Sequence, residues 1–191
     1  MDARKELDRL NNTLKKAIEG RFGGSKPVFG EGPVPCGLMV LGEAPGRDET
    51  RLGRPFVGKG GSFFIKTFEE TFGMGRDRVY ISNVLKVWPN VETKRLRTRA
   101  PEKDETEFFL PFLMKEIGIV DPKVILAVGK TAFSALFPDD EFRAGEWIAS
   151  GNRKIMPVYH PSYILRRQKS LEGSVRELKG ALLKVREELG L

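Results

Sequence analysis

One stretch of the chain decides the fold, and it reads Leu38-Met39-Val40-Leu41-Gly42-Glu43-Ala44-Pro45-Gly46. A run of aliphatic residues followed at once by a loop bounded by glycine and proline is typical of a buried strand that ends in a turn. The loop presents backbone N–H groups and the carboxylate of Glu43. The stretch therefore predicts both a strand of a parallel sheet and a binding loop at its end.

The same alternation continues along the chain. Further strands are predicted at about Val79–Ile81, Val124–Val128 and Lys154–Tyr159. Helical spacing of apolar residues predicts helices at Ser62–Phe72, Glu102–Ile117, Thr131–Leu136 and Ser174–Leu189. Strands that alternate with helices indicate an α/β fold, a three-layer α/β/α arrangement around a central four-stranded, mainly parallel sheet.

Length and composition predict one domain. A chain of 191 residues with 40% apolar content suits one full-sized core. We expect residues 1–191 to form a single domain, with an N-terminal helix at about 3–19, a glycine- and proline-rich loop at 20–37 and a core at 38–191.

Charge and cysteine content narrow the function classes. The net charge of +7 and pI near 9.6 favour an anionic partner such as nucleic acid. No apolar run approaches the roughly 20 residues that span a bilayer, so we expect a cytoplasmic protein without membrane contact, and a monomer. A single cysteine, Cys36, excludes an internal disulfide and a cysteine-based metal cage.

Polar residues follow the predicted strands at the same edge of the sheet. Ligands of parallel sheets bind beyond the carboxyl ends of the strands, so Glu43, Asn83, Gly129 and His160 should approach one another. The sequence therefore predicts one site built from four loops.

Several motifs in the same order resemble a known family. They are Gly42-Glu43-Ala44-Pro45-Gly46, Gly53-Arg54-Pro55-Phe56-Val57-Gly58, Tyr80-Ile81-Ser82-Asn83-Val84, Pro122-Lys123-Val124-Ile125 with Gly129, and His160-Pro161-Ser162. Together these resemble the uracil-DNA glycosylase superfamily, most closely its family 4, over about Leu38 to Arg167. The resemblance implies the fold deduced above and a monofunctional DNA repair glycosylase, a hydrolase that flips uracil out of DNA, cleaves its N-glycosidic bond and leaves an abasic site.

Two alternatives stay open beside that activity. Branches of the superfamily that lack an iron–sulfur cluster include enzymes that prefer hypoxanthine. Removal of hypoxanthine or another deaminated base is therefore the first alternative. The second is a catalytically weak protein of the same fold that binds DNA. A covalent lyase is disfavoured because no lysine stands among the predicted catalytic and base-binding residues.

The base pocket is predicted from the first two loops. Phe56 would stack on the base, and Asn83 offers an acceptor and donors that match the uracil edge. Gly42 and Ala44 would present their backbone to the base. Each side chain has a structural alternative: Phe56 as a core residue, and Asn83 as a helix cap or turn residue.

The catalytic candidates are His160 and Glu43. Cleavage leaves negative charge on the departing base, so a donor from His160 to the base O2 lowers the barrier. A structural role is the alternative for this histidine. Where the best-studied branch has a water-orienting aspartate this chain has Ala44, which leaves Glu43 as the nearest carboxylate. Its side chain either activates water or braces the loop.

DNA contacts are predicted in two segments. The basic stretch around residues 94–99 is predicted to follow the DNA phosphates. The segment after His160 is predicted to hold phosphates and to insert Ile164 or Leu165 into the space vacated by the flipped base. The alternative for this segment is the start of a helix with a buried leucine. The predicted DNA-binding residues are Lys94, Arg95, Arg97, Arg99, Ser162, Ile164, Leu165, Arg166 and Arg167. Whether the DNA is single- or double-stranded, and whether a sliding clamp takes part, stays open.

One departure from family 4 concerns its cofactor. The family carries four cysteines that bind a [4Fe–4S] cluster, and such a cluster requires thiolates. Its third and fourth cysteines match Val87 and Phe109 here, and an apolar plug of these residues with Trp88 and Phe108 is expected instead. We therefore predict no cofactor and no metal.

Overall fold

The computed structural model describes residues 2–91, 96–167 and 170–191. The strands are β1 (Leu38–Gly42), β2 (Tyr80–Asn83), β3 (Asn90–Val91), β4 (Arg97–Thr98), β5 (Val124–Val128), β6 (Ile148–Ser150) and β7 (Arg153–Val158). The helices are α1 (Ala3–Arg21), α2 (Arg47–Leu52), α3 (Lys59–Phe72), α4 (Lys103–Val120), α5 (Lys130–Leu136), α6 (Pro161–Arg166) and α7 (Leu171–Glu188).

The main sheet has the strand order β2-β1-β5-β7-β6. The first four strands pair in parallel, and β6 pairs antiparallel with β7. The register places Gly42 of β1 opposite Asn83 of β2. The predicted four parallel strands are therefore confirmed, and a fifth strand is added at one edge.

Helices cover both faces of this sheet, and alternate residues of β1 enter two cores. Met39 and Leu41 pack with α1, α4 and α5, whereas Leu38 and Val40 pack with α3, α6 and α7. Successive side chains of a strand point to opposite faces, so one apolar strand supplies both cores. The three-layer α/β/α class is confirmed.

The outer helices bury the faces that their sequences predicted. Leu7, Leu14 and Ile18 of α1 are buried, as are Leu178 and Leu182 of α7. Charged residues take the opposite faces, as amphipathic helices require. No helix within the described ranges is both long and apolar enough to cross a membrane.

Four elements lie where the sequence predicted only loop or nothing regular. Helix α2 lies inside the polar segment after β1, and β6 precedes β7. Strands β3 and β4 form a separate antiparallel ribbon, with Asn90 paired to Thr98 and Val91 to Arg97. We refer to these two strands as the ribbon. Lys94 and Arg95, which were predicted to contact DNA, lie outside the described residues.

Three of the four residues predicted to form an apolar plug, Val87, Phe108 and Phe109, pack in one core, whereas the fourth, Trp88, donates a hydrogen bond to Thr98. Val87 and Phe109 are 2% and 1% exposed and belong to one core. Around them the rings of Phe22, Phe108 and Phe109 lie 5.0–5.5 Å apart between centroids. Aromatic rings at this spacing bury large apolar areas, so this region is held by packing.

Candidate active site

A cleft of about 680 Å³ opens at the carboxyl edge of the parallel strands. Glu43 and His160, which follow β1 and β7, and Asn83, the last residue of β2, all line it, together with Phe56. Gly129 lies behind His160, where an added β-carbon would be 3.1 Å from the histidine Cβ. The four predicted strand ends therefore meet in one place. We call the segments that carry Glu43, Asn83 and His160 the cleft floor.

Phe56 and Asn83 pack against the same glycine. A β-carbon added at Gly42 would lie 2.4 Å from Asn83 Oδ1 and 2.7 Å from Phe56 Cζ. Asn83 is buried, and Phe56 is 7% exposed with a backbone φ of 55°. Non-glycine residues are uncommon in this left-handed region, and those that occur there cluster at active sites and ligand-binding sites. Gly42 thus sets the distance between the ring and the amide.

The loop between β1 and α3 is braced by Glu49, which is buried. Its carboxylate accepts hydrogen bonds from the backbone N–H groups of Gly46 at 3.1 Å, Val57 at 3.1 Å and Gly58 at 2.7 Å. A carboxylate that accepts several backbone N–H groups forms strong, charge-assisted bonds. Glu49 therefore ties the first loop to the segment that carries Phe56. No role was predicted for Glu49 from the sequence.

His160 is held by the start of α6. The backbone N–H of Ser162 donates to His160 Nδ1 at 3.2 Å, and the Ser162 hydroxyl lies 2.7 Å from the same nitrogen. Because a backbone N–H can only donate, Nδ1 is unprotonated and the neutral ring carries its hydrogen on Nε2.

The charge state of His160 agrees with this tautomer. Burial lowers the pKa of the imidazole below its usual 6.5; the Glu43 carboxylate raises it in part, and Arg166 lowers it further. Loss of hydration penalises the charged ring most, so the neutral form is favoured near pH 7. The arrangement supplies a neutral ring whose donor is Nε2–H.

Glu43 is oriented by a residue from another element. The Thr131 hydroxyl at the start of α5 donates to Glu43 Oε2 at 2.5 Å, and the Glu43 carbonyl accepts from the Leu85 N–H at 3.0 Å. The carboxylate is thus fixed at one oxygen. Its negative charge acts on the pKa of His160 across the cleft. Thr131 was not predicted from the sequence, since an isolated threonine carries no distinctive signal.

The residues after His160 divide into buried and exposed ones. Ser162 and Arg166 line the cleft, Leu165 is half-buried, and Arg167 lies over the Tyr163 ring at 5.4 Å. The prediction that Ile164 wedges into DNA is wrong, because its side chain is fully buried in the core with α3 and α7. The helical turn of α6 points it inward, as the alternative of a helix start allowed.

The end of the ribbon at Thr98 and the two residues that follow it, Arg99 and Ala100, form one rim of the cleft. The Trp88 indole N–H donates to Thr98 Oγ1 at 2.9 Å, and Arg99 donates to both carboxylate oxygens of Glu105 at 2.7 Å. The Glu105 carboxylate raises the pKa of Arg99, which stays charged. Arg97 is exposed on β4.

Two cations that sequence reasoning missed also line the cleft. Arg47 begins α2 and Lys59 begins α3, and both are exposed. A β-carbon added at Gly60, next to Lys59, would lie 3.6 Å from Pro161 Cβ. The start of α3 therefore packs beside the His160 loop. With Arg99 and Arg166 these residues form what we call the positive rim of the cleft, in which Arg99 is already paired with Glu105 and which the acidic side chain of Asp48 also lines. Lysine and arginine in a loop are common, and only the fold brings these four together.

The residues do not fit a four-thiolate iron–sulfur cluster. Cys36 is the chain's single cysteine, and its thiol is buried against the Leu38 carbonyl at 3.2 Å. Val87 and Phe109, near which the resemblance places two of the family's cysteines, are core residues. Within the described ranges no cluster of three histidine, cysteine or acidic side chains is suited to a metal ion. The prediction that no cofactor binds stays a prediction.

These features define an α/β/α protein with a polar cleft at the carboxyl ends of its strands. The family model of the uracil DNA glycosylase superfamily matches residues 29–183. The chain belongs to this superfamily, and the resemblance noted in its motifs is confirmed.

Similar proteins include several from thermophiles. The type-4 uracil-DNA glycosylase of Thermotoga maritima is 36% identical over 149 residues, which are 74% of this chain and 72% of that protein. Proteins with the same name from Pyrobaculum aerophilum and Sulfurisphaera tokodaii are 34% and 31% identical, over 73% and 86% of this chain and 74% and 77% of their own lengths. The residues that the family model matches, 29–183, include those that line the cleft.

Proposed function

We propose that this protein removes uracil from DNA by hydrolysing the N-glycosidic bond, and that it leaves an abasic site. The observation that carries the proposal is the meeting of Phe56, Asn83 and a neutral His160 in one cleft. A flipped base needs a stacking surface, a partner for its edge and a donor for its leaving-group charge. The names of the similar proteins support the same reaction.

The reaction assigns one role to each residue. Phe56 stacks on the uracil, and the Asn83 amide pairs with the N3–H and O4 of its edge. The bond between C1′ and N1 breaks with its electron pair going to the base. His160 Nε2–H then donates a hydrogen bond to O2, where negative charge accumulates. Gly42 and Ala44 line the base with backbone.

Water completes the hydrolysis at C1′ of the sugar. We propose that Glu43 orients this water, accepts its proton and stabilises the positive charge that develops on the sugar. The bond from Thr131 leaves the carboxylate in one orientation for this task. The competing role for Glu43 is to brace the loop, and a Glu43→Gln variant separates the two roles. If Glu43 only braces the loop, the glutamine keeps most of its hydrogen bonds and the enzyme keeps its rate. If Glu43 accepts the proton of the water, the variant loses the rate.

The positive rim of the cleft supports DNA as the substrate. Arg47, Lys59, Arg99 and Arg166 line the cleft, and Arg97 extends the charge along the ribbon. Phosphate contacts of this kind supply affinity without reading sequence. We propose that these residues, with Ser162 and Arg167, hold the backbone on both sides of the flipped nucleotide, and that Leu165 enters the space it vacates.

The organisation of the chain is part of the proposal. We propose a single domain over residues 1–191 that acts as a monomer in the cytoplasm. The packing of α1 against α4 and of α7 against α3 supports one cooperative unit. A single thermal transition and a sedimentation mass near 21.5 kDa are expected.

The test is base release from a labelled oligonucleotide with one uracil, as a single strand and as U:G and U:A duplexes, with enzyme in excess. A hypoxanthine oligonucleotide runs alongside, and a His160→Ala variant purified in the same way controls for glycosylases of the expression host. We expect uracil release by the wild type, and release at least about 100-fold slower by the variant. Release of hypoxanthine alone would change the substrate, and tight, salt-sensitive binding without release of either base would favour a DNA-binding protein.

A further inference from the structure

A buried ion pair lies directly behind the base pocket. Lys86, in the turn after β2, donates to Glu116 of α4 with 2.7 Å between Nζ and Oε2, and each side chain is only 2% exposed. Lysine and glutamate are almost never this buried unless they are paired. None of the family motifs quoted above includes either residue.

Further hydrogen bonds satisfy the remaining polar atoms of this pair. Glu116 Oε1 accepts from the Tyr80 hydroxyl at 2.8 Å and from the Ser82 hydroxyl at 3.0 Å. Burial, with the Glu116 charge, raises the pKa of Tyr80, so its hydroxyl remains a donor. A β-carbon at Gly30 would lie 2.4 Å from the Tyr80 oxygen, so the backbone closes over the group. We call Tyr80, Ser82, Lys86 and Glu116 the buried polar cluster.

The buried polar cluster is bonded to the residue proposed to recognise the base. Lys86 Nζ donates to the Asn83 backbone carbonyl at 2.6 Å and lies 2.6 Å from Ser82 Oγ. In the same turn the Val84 N–H donates to the Gly42 carbonyl at 2.9 Å, and the Leu85 N–H to the Glu43 carbonyl at 3.0 Å. The ammonium therefore closes a turn that carries Asn83 on one side and holds the Glu43 loop on the other.

Stability alone does not explain this arrangement. The cost of removing two charges from water offsets much of their attraction, and well-packed apolar residues are often as stable or more so. What such a cluster supplies is one defined geometry, since every donor and acceptor in it has a fixed partner. Here that geometry is the position of the Asn83 backbone.

We propose that Lys86 and Glu116 are positioning residues, which hold Asn83 at the depth and angle at which its amide meets the base edge. This inference rests on the proposed function, and it names residues that touch neither base nor sugar. A shift of about 1 Å in a recognition group lowers a rate by up to about 100-fold without removing any contact to substrate.

The test uses a double variant, Lys86→Met with Glu116→Gln. Lys86→Met alone leaves the Glu116 carboxylate buried without a cation and risks unfolding. The double variant removes both charges together and keeps an amide oxygen for Tyr80 and Ser82. The matched control is Leu14→Ala, which opens a cavity in α1, so that loss of stability as such is reproduced away from the cleft.

Three quantities are compared at a temperature where circular dichroism shows all the proteins folded. We expect the single-turnover rate of uracil release to fall on the order of 10- to 100-fold in the double variant, while Leu14→Ala keeps the wild-type rate. DNA affinity should stay within about twofold, because phosphate contacts dominate it. A wild-type rate in the folded double variant would overturn the proposal.

The third quantity does not depend on turnover. The ¹⁵N side-chain amide signal of Asn83, assigned by its loss in Asn83→Ala, should shift or broaden in the double variant and not in Leu14→Ala. An unchanged signal would overturn the positioning role even if the rate fell. If the wild type releases no base, the proposed function fails, and this spectrum still decides whether the buried polar cluster holds Asn83.

Discussion

The cleft floor and the ribbon face the same cleft but are held by different kinds of contact. The floor is fixed by buried hydrogen bonds, such as those of Glu49 to three backbone N–H groups and of Lys86 to the Asn83 carbonyl. The ribbon has two residues in each strand and is anchored mainly through Trp88 and Arg99. In the proposed function, the chemistry that needs a fixed geometry takes place on the cleft floor, and the ribbon contributes some of the phosphate contacts.

This difference predicts separate experimental behaviour. Changes in the floor should alter the rate of base release and leave DNA affinity nearly intact. Changes in the ribbon should alter affinity and its salt dependence and leave the rate at saturating DNA intact. Each of the following predictions either sharpens this division or breaks it.

The largest effect is expected for His160→Ala. The variant loses the donor to the leaving base, so the single-turnover rate should fall by about 10²- to 10³-fold, the usual cost of removing one such donor. DNA affinity, measured by fluorescence anisotropy on uncleaved oligonucleotide, should stay within about twofold. A variant that loses affinity in proportion to its rate would break the division between floor and ribbon.

A second large effect is expected for Gly42→Ala. Its β-carbon would meet both Asn83 Oδ1 and the Phe56 ring, so one of them must move and the rate should fall about 10- to 100-fold. The control is Gly37→Ala, just before the same strand, where a β-carbon meets nothing within 4 Å. Equal rates for the two variants would show that the spacing of ring and amide does not limit the reaction.

A moderate effect is expected from pH. Burial holds the pKa of His160 below 6.5, so the neutral ring persists as the pH falls through that value, and the rate should decline only at lower pH. Below pH 6.5 the unfolded chain binds the proton first. The free energy of unfolding should therefore fall as the pH drops from 6.5 through the folded-state pKa, and change little above 6.5.

The measurement is the single-turnover rate and the urea midpoint between about pH 5 and 8, for the wild type and His160→Gln. The variant should lose the part of the pH dependence of stability that comes from the imidazole. If the rate already declines as the pH is lowered from 8 to 6.5, a neutral histidine is contradicted.

The smallest effect is expected in the ribbon. Arg97→Gln should weaken DNA binding a few-fold and reduce the slope of log affinity against log salt by about one, because one phosphate contact is lost. The rate at saturating DNA should not change. Lys15→Gln, an exposed charge on α1, is the matched control and should alter neither slope nor rate. An Arg97 variant with a normal salt slope would remove the ribbon from the DNA-binding surface.

The sheet could be predicted from the sequence because each of its parallel strands contains a short run of apolar residues that can be recognised without knowledge of the rest of the chain. Val124–Val128 was predicted with the same bounds that the structure has, since an uninterrupted aliphatic run before glycine has few other interpretations. The meeting of Glu43, Asn83 and His160 followed from the rule that ligands of parallel sheets bind beyond the carboxyl ends of the strands. This general rule sufficed because each of the three residues lies at the carboxyl end of its strand or within two residues of it.

The remaining features depend on contacts that no local pattern encodes. Helix α2 exists within a polar loop because Glu49 binds the backbone on both sides of it. Ile164 points inward because α6 makes a full turn over the core, which the apolar pair with Leu165 could not decide. The burial of Lys86 depends on Glu116, 30 residues away in the chain.

The burial of the Cys36 thiol makes site-specific fluorescent labelling of this protein simple. It is the chain's single cysteine and is only 9% exposed, so maleimide dyes should leave it largely untouched in the folded protein. A cysteine introduced at Val91, which is 41% exposed on the ribbon, would then be the preferred point of labelling. A fluorophore there can report, molecule by molecule, how the rim of the cleft responds when a nucleotide enters, with no prior removal of native cysteines.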